Sequence, residues 1–212
     1  MSIKKKVVLV ALVVCIFAMS IASATLAYFT DTETAENTFT IGDVNITLTE
    51  AGTPVEGTTN VFSYGDLFPG FGKDLSPTIT NASVQSEDNE AYVAAIITLA
   101  AEDIGTIVNA GNINDVLTNN VFSNADYDVI IDYTDDLITI SVIALNHLEV
   151  GESVTLFEKV FALGTWDHAE MNIIAKLKLD IRAYAVQTAG FNGNAIAAIK
   201  AGFATEFTNH NA

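Results

Sequence analysis

The sequence predicts an all-β fold, an antiparallel jelly roll or sandwich with short helical insertions and a C-terminal helix. Three observations point there. Apolar and polar residues alternate with period two in several separate stretches. The cleanest is 173–187, where Ala175, Leu177, Leu179, Ile181, Ala183 and Ala185 oppose Lys176, Lys178, Asp180, Arg182 and Gln187, as on a strand with one face turned inward. Connections are irregular, without the strand-helix-strand rhythm of a parallel sheet. Helical spacing is confined to residues 102–124, 166–171 and 194–207. There is no internal repeat and no low-complexity segment, so one domain suffices.

The chain begins with Lys4, Lys5 and Lys6, then an almost unbroken apolar run over 7–21, then Ala22, Ser23, Ala24, Thr25 and Ala27. That is the layout of a secretory signal peptide over residues 1–27. The apolar run is shorter than the ~20 residues of a spanning helix, so no stable membrane anchor is expected after cleavage. Two cuts satisfy the small-x-small rule, after Ala24 or after Ala27. Cys15 follows Val14 and lacks the small residue of a lipoprotein site. Removing 27 of the 212 residues leaves 185, takes away the one cysteine, and moves the net charge from −17 to −20 through the loss of three lysines. A chain of that size can build a core without disulfides. Its acidity excludes nucleic acid and anionic membranes as partners. The expected location is extracellular, in a matrix or at the cell surface.

Residues 28–50 read as an arm leading into a first strand. Tyr28 and Phe29 stand at the freed end, a place where exposed aromatics gain nothing unless something covers them. Residues 30–38 are polar with three acidic groups, and from Phe39 onward Val44, Ile46 and Leu48 alternate with Asn45, Thr47 and Thr49. Residues 51–212 follow as the main domain. Residues 51–60 read as a loop and 61–64 as a short strand at best. Pro69-Gly70 predicts a turn with glycine at positive φ. Residues 75–80 read as a strand in which Pro77 implies an edge or a bulge, and 81–89 as a polar loop. Residues 91–100, apolar nearly throughout, predict a central strand covered on both faces. In 102–124 the spacing of Ile104, Ile107, Val108, Ile113, Val116, Leu117 and Val121 predicts one or two short amphipathic helices. Strands follow at 127–133, 137–144 and 153–163, with a hairpin turn at Asp135-Asp136. Residues 166–171 read as one helical turn, 173–187 as a strand and 194–207 as a helix.

Catalytic patterns are missing. His147, His168 and His210 lie far apart, and the local Asp167-His168-Ala169-Glu170 lacks the second histidine of a zinc protease helix; all three read as surface histidines. There is no G-x-S-x-G, and Gly70-Phe71-Gly72-Lys73 lacks phosphate-loop spacing. Asp126, Asp128, Asp132, Asp135 and Asp136 read as solvated charges rather than calcium ligands. Asn45-Ile-Thr and Asn81-Ala-Ser match the glycosylation sequon, which chance produces often in such a sequence. No catalytic, cofactor or metal residue is assigned.

The junction LAYFTDTETAENTFTIGDVNITL resembles the start of the TasA/camelysin family, secreted proteins processed by a dedicated signal peptidase. The matching positions are Ala27, Tyr28, Phe29, Thr30 and Asp31, then Phe39, Gly42, Val44 and Ile46. PGFGKDLSPTITNASVQSEDNEAYVAAIITL, GESVTLFEKVF and IRAYAVQTAGF are similar to later phrases of that family, while 102–124 departs from it. The resemblance implies cleavage between Ala27 and Tyr28. It also implies a jelly-roll subunit of biofilm-matrix fibres, in which the freed N-terminal segment of one subunit lies as a strand in the next. The expected function is thus a structural subunit polymerising head to tail, with Tyr28, Phe29, Phe39, Ile41, Val44 and Ile46 carrying assembly. Its partners would be itself, the signal peptidase, and an accessory matrix or anchoring protein. Two alternatives stand beside it: a monomeric cell-surface binding module whose N-terminus folds back, and a metal-dependent peptidase of camelysin type, for which the chain offers no motif.

Overall fold

The computed structural model describes residues 30–33, 38–41, 44–50, 53–54, 67–84 and 89–211. Before the long central strand lie β1 (Thr30–Glu33), β2 (Thr38–Ile41), β3 (Ile46–Glu50), β4 (Thr53–Pro54), β5 (Gly72–Asp74) and β6 (Thr78–Asn81). The middle holds β7 (Ala91–Ala100), α1 (Ile104–Ile107), α2 (Ile113–Val116), β8 (Leu117–Thr118), β9 (Tyr127–Tyr133) and β10 (Leu137–Ala144). The chain closes with β11 (Ser153–Thr155), β12 (Lys159–Phe161), α3 (His168–Ile174), β13 (Lys178–Gln187) and α4 (Ala195–Gly202).

These strands make an all-β sandwich. One layer is a six-stranded sheet in the order β1-β2-β13-β7-β10-β9; facing it are a four-stranded sheet, β11-β6-β3-β4, and a three-stranded one, β5-β12-β8. Alternate residues of β7, β10 and β13, among them Ile97, Leu99, Ile140, Val142, Leu179 and Ile181, join Val44, Ile46, Leu48, Ile79 and Phe157 in the core between the layers. Burying each such side chain stabilises the fold by ~1.5–3 kcal/mol. The other face of the six-stranded sheet is covered too. Tyr92, Ala94, Ile143, Tyr184 and Val186 pack there against Ala198, Ile199, Phe203 and Phe207 from α4 and the turns after it. Two covered faces explain why β7 is apolar nearly throughout. Alanines make the large aromatic possible, for Ala94 stands beside Tyr184 in register and leaves room for its ring.

The two short helices of the insertion put Ile104, Ile107, Ile113 and Val116 into the main core. Gly105 is what lets α1 approach the β9–β10 turn. Its N–H donates to the Asp135 carbonyl at 2.8 Å, and a Cβ there would overlap the Thr134 carbonyl. Gly70 adopts the positive φ, +81°, that the Pro69-Gly70 turn requires.

Several elements differ from the sequence pattern, each for a physical reason. The strand expected over 153–163 is two strands, because the chain changes partners: β11 pairs with β6, whereas β12 pairs with β5 and β8. Leu156 and Phe157, at the crossing, are buried. The strand expected from residue 173 begins at Lys178, since a reciprocal capping box between Asp167 and Glu170 carries α3 on to Ile174. Pro77 precedes β6 rather than interrupting it, its carbonyl accepting from the Leu156 N–H at 2.9 Å. α4 ends at Gly202, short of the expected 207. The strand expected at 61–64 and most of the loop at 51–60 lie outside the described residues.

Candidate functional site

The N-terminal arm reaches the body through a small set of backbone bonds. β1 and β2 form an antiparallel pair, Thr30 opposite Ile41 and Glu33 opposite Thr38. β2 then lies along β13 in parallel, with Thr38, Phe39, Thr40 and Ile41 opposite Ala183, Tyr184, Ala185 and Val186. Every other pairing between the named strands is antiparallel among the described residues. Parallel ladders carry evenly spaced, slanted bonds and are slightly weaker per residue. The inner edge of β13, by contrast, holds all ten of its residues in register with β7.

Where the arm meets the body, a buried polar hub fixes it. The Asn45 N–H donates to Ser83 Oγ at 2.8 Å, and the Asn45 carbonyl accepts from the Ala82 N–H at 2.8 Å. Ser83 Oγ in turn donates to Asn81 Oδ1 at 2.6 Å. Asn81, fully buried, spends its amide protons on the carbonyls of Asn89 and Leu148, at 2.9 and 3.0 Å. Its Asn-Ala-Ser pattern is therefore a structural hub. Val44 and Ile46, each 3% exposed, lie in this chain's own core. The structure accordingly places these two expected assembly residues in the body and β3 in its own sheet, while β2, with β1 outside it, lines the edge of β13. Phe39 and Ile41 stand in β2. Ala27, Tyr28 and Phe29 lie outside the described residues.

The histidines divide. His147 is exposed, its Nε2 3.4 Å from Glu90 Oε2, and His168 is exposed at the first turn of α3. His210 corrects the reading of a surface histidine, for it is only 1% exposed. Its Nδ1 lies 2.7 Å from Asp128 Oδ2 and its Nε2 2.7 Å from Ser141 Oγ. With a carboxylate at Nδ1, the neutral ring donates there and accepts the serine O–H at Nε2. The order Ser141–His210–Asp128 matches a hydrolase triad, but its setting does not suit catalysis. Ser141 is buried on β10, and it is paired with Ile96 on one side and Ile130 on the other. The strand amides around it are held in those ladders, leaving none to stabilise an oxyanion. The arrangement works instead as a clasp for the C-terminal segment, whose His210 carbonyl also accepts from Lys200 Nζ at 2.6 Å.

Asp128 is thus engaged rather than merely solvated, while Asp132, Asp135 and Asp136 are exposed. Among the described residues no three His, Cys, Asp or Glu side chains are grouped so as to hold a metal, and no helix is long and apolar enough to cross a membrane. Sequence reading missed the clasp and the hub because their members lie far apart in the chain. The local signal for the clasp was one hydroxyl, Ser141, at a position enclosed by Ile140 and Val142 in an apolar strand.

The class defined by this architecture is an acidic β-sandwich whose N-terminal strand β2 pairs in parallel with the edge of β13. Residues 2–74 match the family described as camelysin metallo-endopeptidase, the same family that the junction at Ala27 and Tyr28 resembles. No curated protein and no solved structure matches the chain.

Proposed function

We propose that this protein is a secreted structural subunit that assembles head to tail into fibres of an extracellular, biofilm-type matrix by donating its N-terminal strand to the next copy. The observation that carries this reading is the mode of attachment of β2, a four-residue parallel ladder on an edge otherwise left to the arm. A slot that fits Thr38–Ile41 of its own chain fits the same segment of another copy. Such an exchange adds a strand through main-chain bonds, and a head-to-tail contact that does not close propagates. The donated piece is β1 and β2, with Tyr28 and Phe29 ahead of them once the leader is cut between Ala27 and Tyr28. Val44, Ile46 and the Asn81 hub keep the root of the arm in its own body.

Two other readings each rest on one finding. Pairing of the arm with its own β13 favours a monomeric binding module, and the description of the matching family favours a metal-dependent peptidase. Mixing experiments separate the first two. Isotopically heavy and light chains are combined, the light ones carrying a photoreactive benzophenone amino acid in place of Phe39. Strand donation gives fibres by electron microscopy and heavy-light crosslinked peptides; a self-folded module gives light-light products alone and no fibres. Casein turnover abolished by a chelator would establish the peptidase.

A further inference from the structure

We infer that the outer edge of β9 is a docking site for an extended, basic segment of another protein, which adds there as a further strand of the six-stranded sheet. β9 ends that sheet on the side away from β1 and β2, so the site stands apart from the arm and does not depend on strand donation. The direction of its backbone groups follows from the ladder with β10. The Leu145 N–H donates to the Asp126 carbonyl at 2.9 Å and the Thr134 N–H to the Leu137 carbonyl at 2.8 Å. Even-numbered residues between these two bonds therefore turn their peptide groups inward to β10, and odd-numbered ones turn outward. Tyr127 spends its N–H on the Asn124 carbonyl at 3.1 Å. Val129, Ile131 and Tyr133 have no strand beyond them among the described residues, and such an edge is a template for another chain.

The side chains leave the edge incomplete as well. None of the seven residues of β9 is buried, although Tyr127, Val129, Ile131 and Tyr133 pack against the main core. A small crevice between the layers is lined by Tyr127, Val142, Val154 and Leu156 among others. Tyr127 and Val154 belong to the terminal strands of their sheets, so the crevice lies at the margin of the sandwich. Apolar side chains of an added strand complete that face. Charge selects the occupant. Between Lys73 and Lys159 the chain has no lysine or arginine. Around β9, Asp126, Asp132 and Asp135 are exposed and have no ion-pair partner among the described residues. A second copy is the wrong partner: running antiparallel about Ile130, its β9 sets Asp128 against Asp132 twice, and like charges directly opposite repel. A strand with lysine or arginine on the Asp132 face and apolar residues on the other meets both demands.

A synthetic probe tests this on the full chain: an end-blocked peptide of alternating lysine and isoleucine, as long as β9. The expected result is saturable binding that slows hydrogen exchange at the amides of Val129, Ile131 and Tyr133. Asp132→Lys, a change at an exposed position that the fold tolerates, is expected to weaken binding about tenfold. Two control peptides separate charge from strand pairing. One carries glutamate in place of lysine and is expected not to bind. The other keeps its lysines but has every backbone amide N-methylated, and it is expected to bind at least about tenfold more weakly. Failure of the lysine peptide to bind, equal affinity for either control, or unchanged exchange at the three amides overturns the site. Attraction to an acidic surface alone gives tight binding of the methylated peptide. Protection of the same amides in the chain by itself, rising with its concentration, assigns the edge to a second copy and equally overturns the inference.

Discussion

The two edges of β13 differ in every respect that governs strength. On one side ten residues pair antiparallel with β7, and those from Ala183 to Val186 are buried on alternate faces of the sheet. On the other, four residues pair in parallel with β2. The first edge is made of residues that must be together for the sandwich to exist. The second is, on the strand-donation proposal, the edge whose occupant can be exchanged without dismantling what lies beneath. Strength and exchangeability are thus separated across the width of one strand.

The largest effect is expected where the antiparallel side is broken. Ile97 is fully buried in β7 and its register partners are Ile140 and Ile181. Ile97→Ala removes that volume from the main core and should cost about 2–5 kcal/mol, read as a lowered urea midpoint with unchanged slope. A smaller effect comes from pH, through the phenol of Tyr184, which burial above all pushes up to about 12 from its ordinary 10.0. In the unfolded chain that group ionises near its ordinary value, so the unfolded state sheds its proton first. Stability is therefore full below pH 10 and falls as pH rises from there through about 12. Urea midpoints at pH 8 and pH 11 measure this, and Tyr184→Phe should flatten the difference. Burial raises the Tyr127 and Tyr133 phenols as well, and these account for what remains of the slope. The smallest effect on stability belongs to the parallel side. If β2 is the exchangeable strand, Phe39→Ala should shift unfolding by no more than ~0.5 kcal/mol while abolishing fibres in electron micrographs. A loss of stability as large as that of Ile97→Ala would make β2 part of the fold and erase the contrast.

The sequence carried the fold further than it carried the site. Strands β9 and β10 have the bounds that alternation alone suggests, and β7 is the doubly covered strand its apolar run implies. These succeed because face and period are local properties. Residues 153–163 misled because both strands there are alternating, and only their partners, β6 against β5 and β8, reveal the change of sheet. Residues 173–177 misled because a capping box three residues wide outweighed a period-two pattern. At the site, the apolar residues Phe39 and Ile41 were visible, but the direction and neighbour of their strand were not, since periodicity says nothing of strand order. His210 and Ser141 are 69 residues apart, and His210 and Asp128 are 82. Such contacts leave no mark on the local pattern beyond the single hydroxyl of Ser141 in an apolar strand.

The direction of β2 has a mechanical consequence. Because it runs alongside β13 in the same sense over the whole of their contact, a tug along the arm is directed along the ladder rather than across it. The bonds of the ladder then bear the load together, in shear, instead of opening one after another like a zipper. A joint of four residues, only ~13 Å long at ~3.3 Å per residue, resists steady tension better than its length suggests, yet peels readily when lifted from one end.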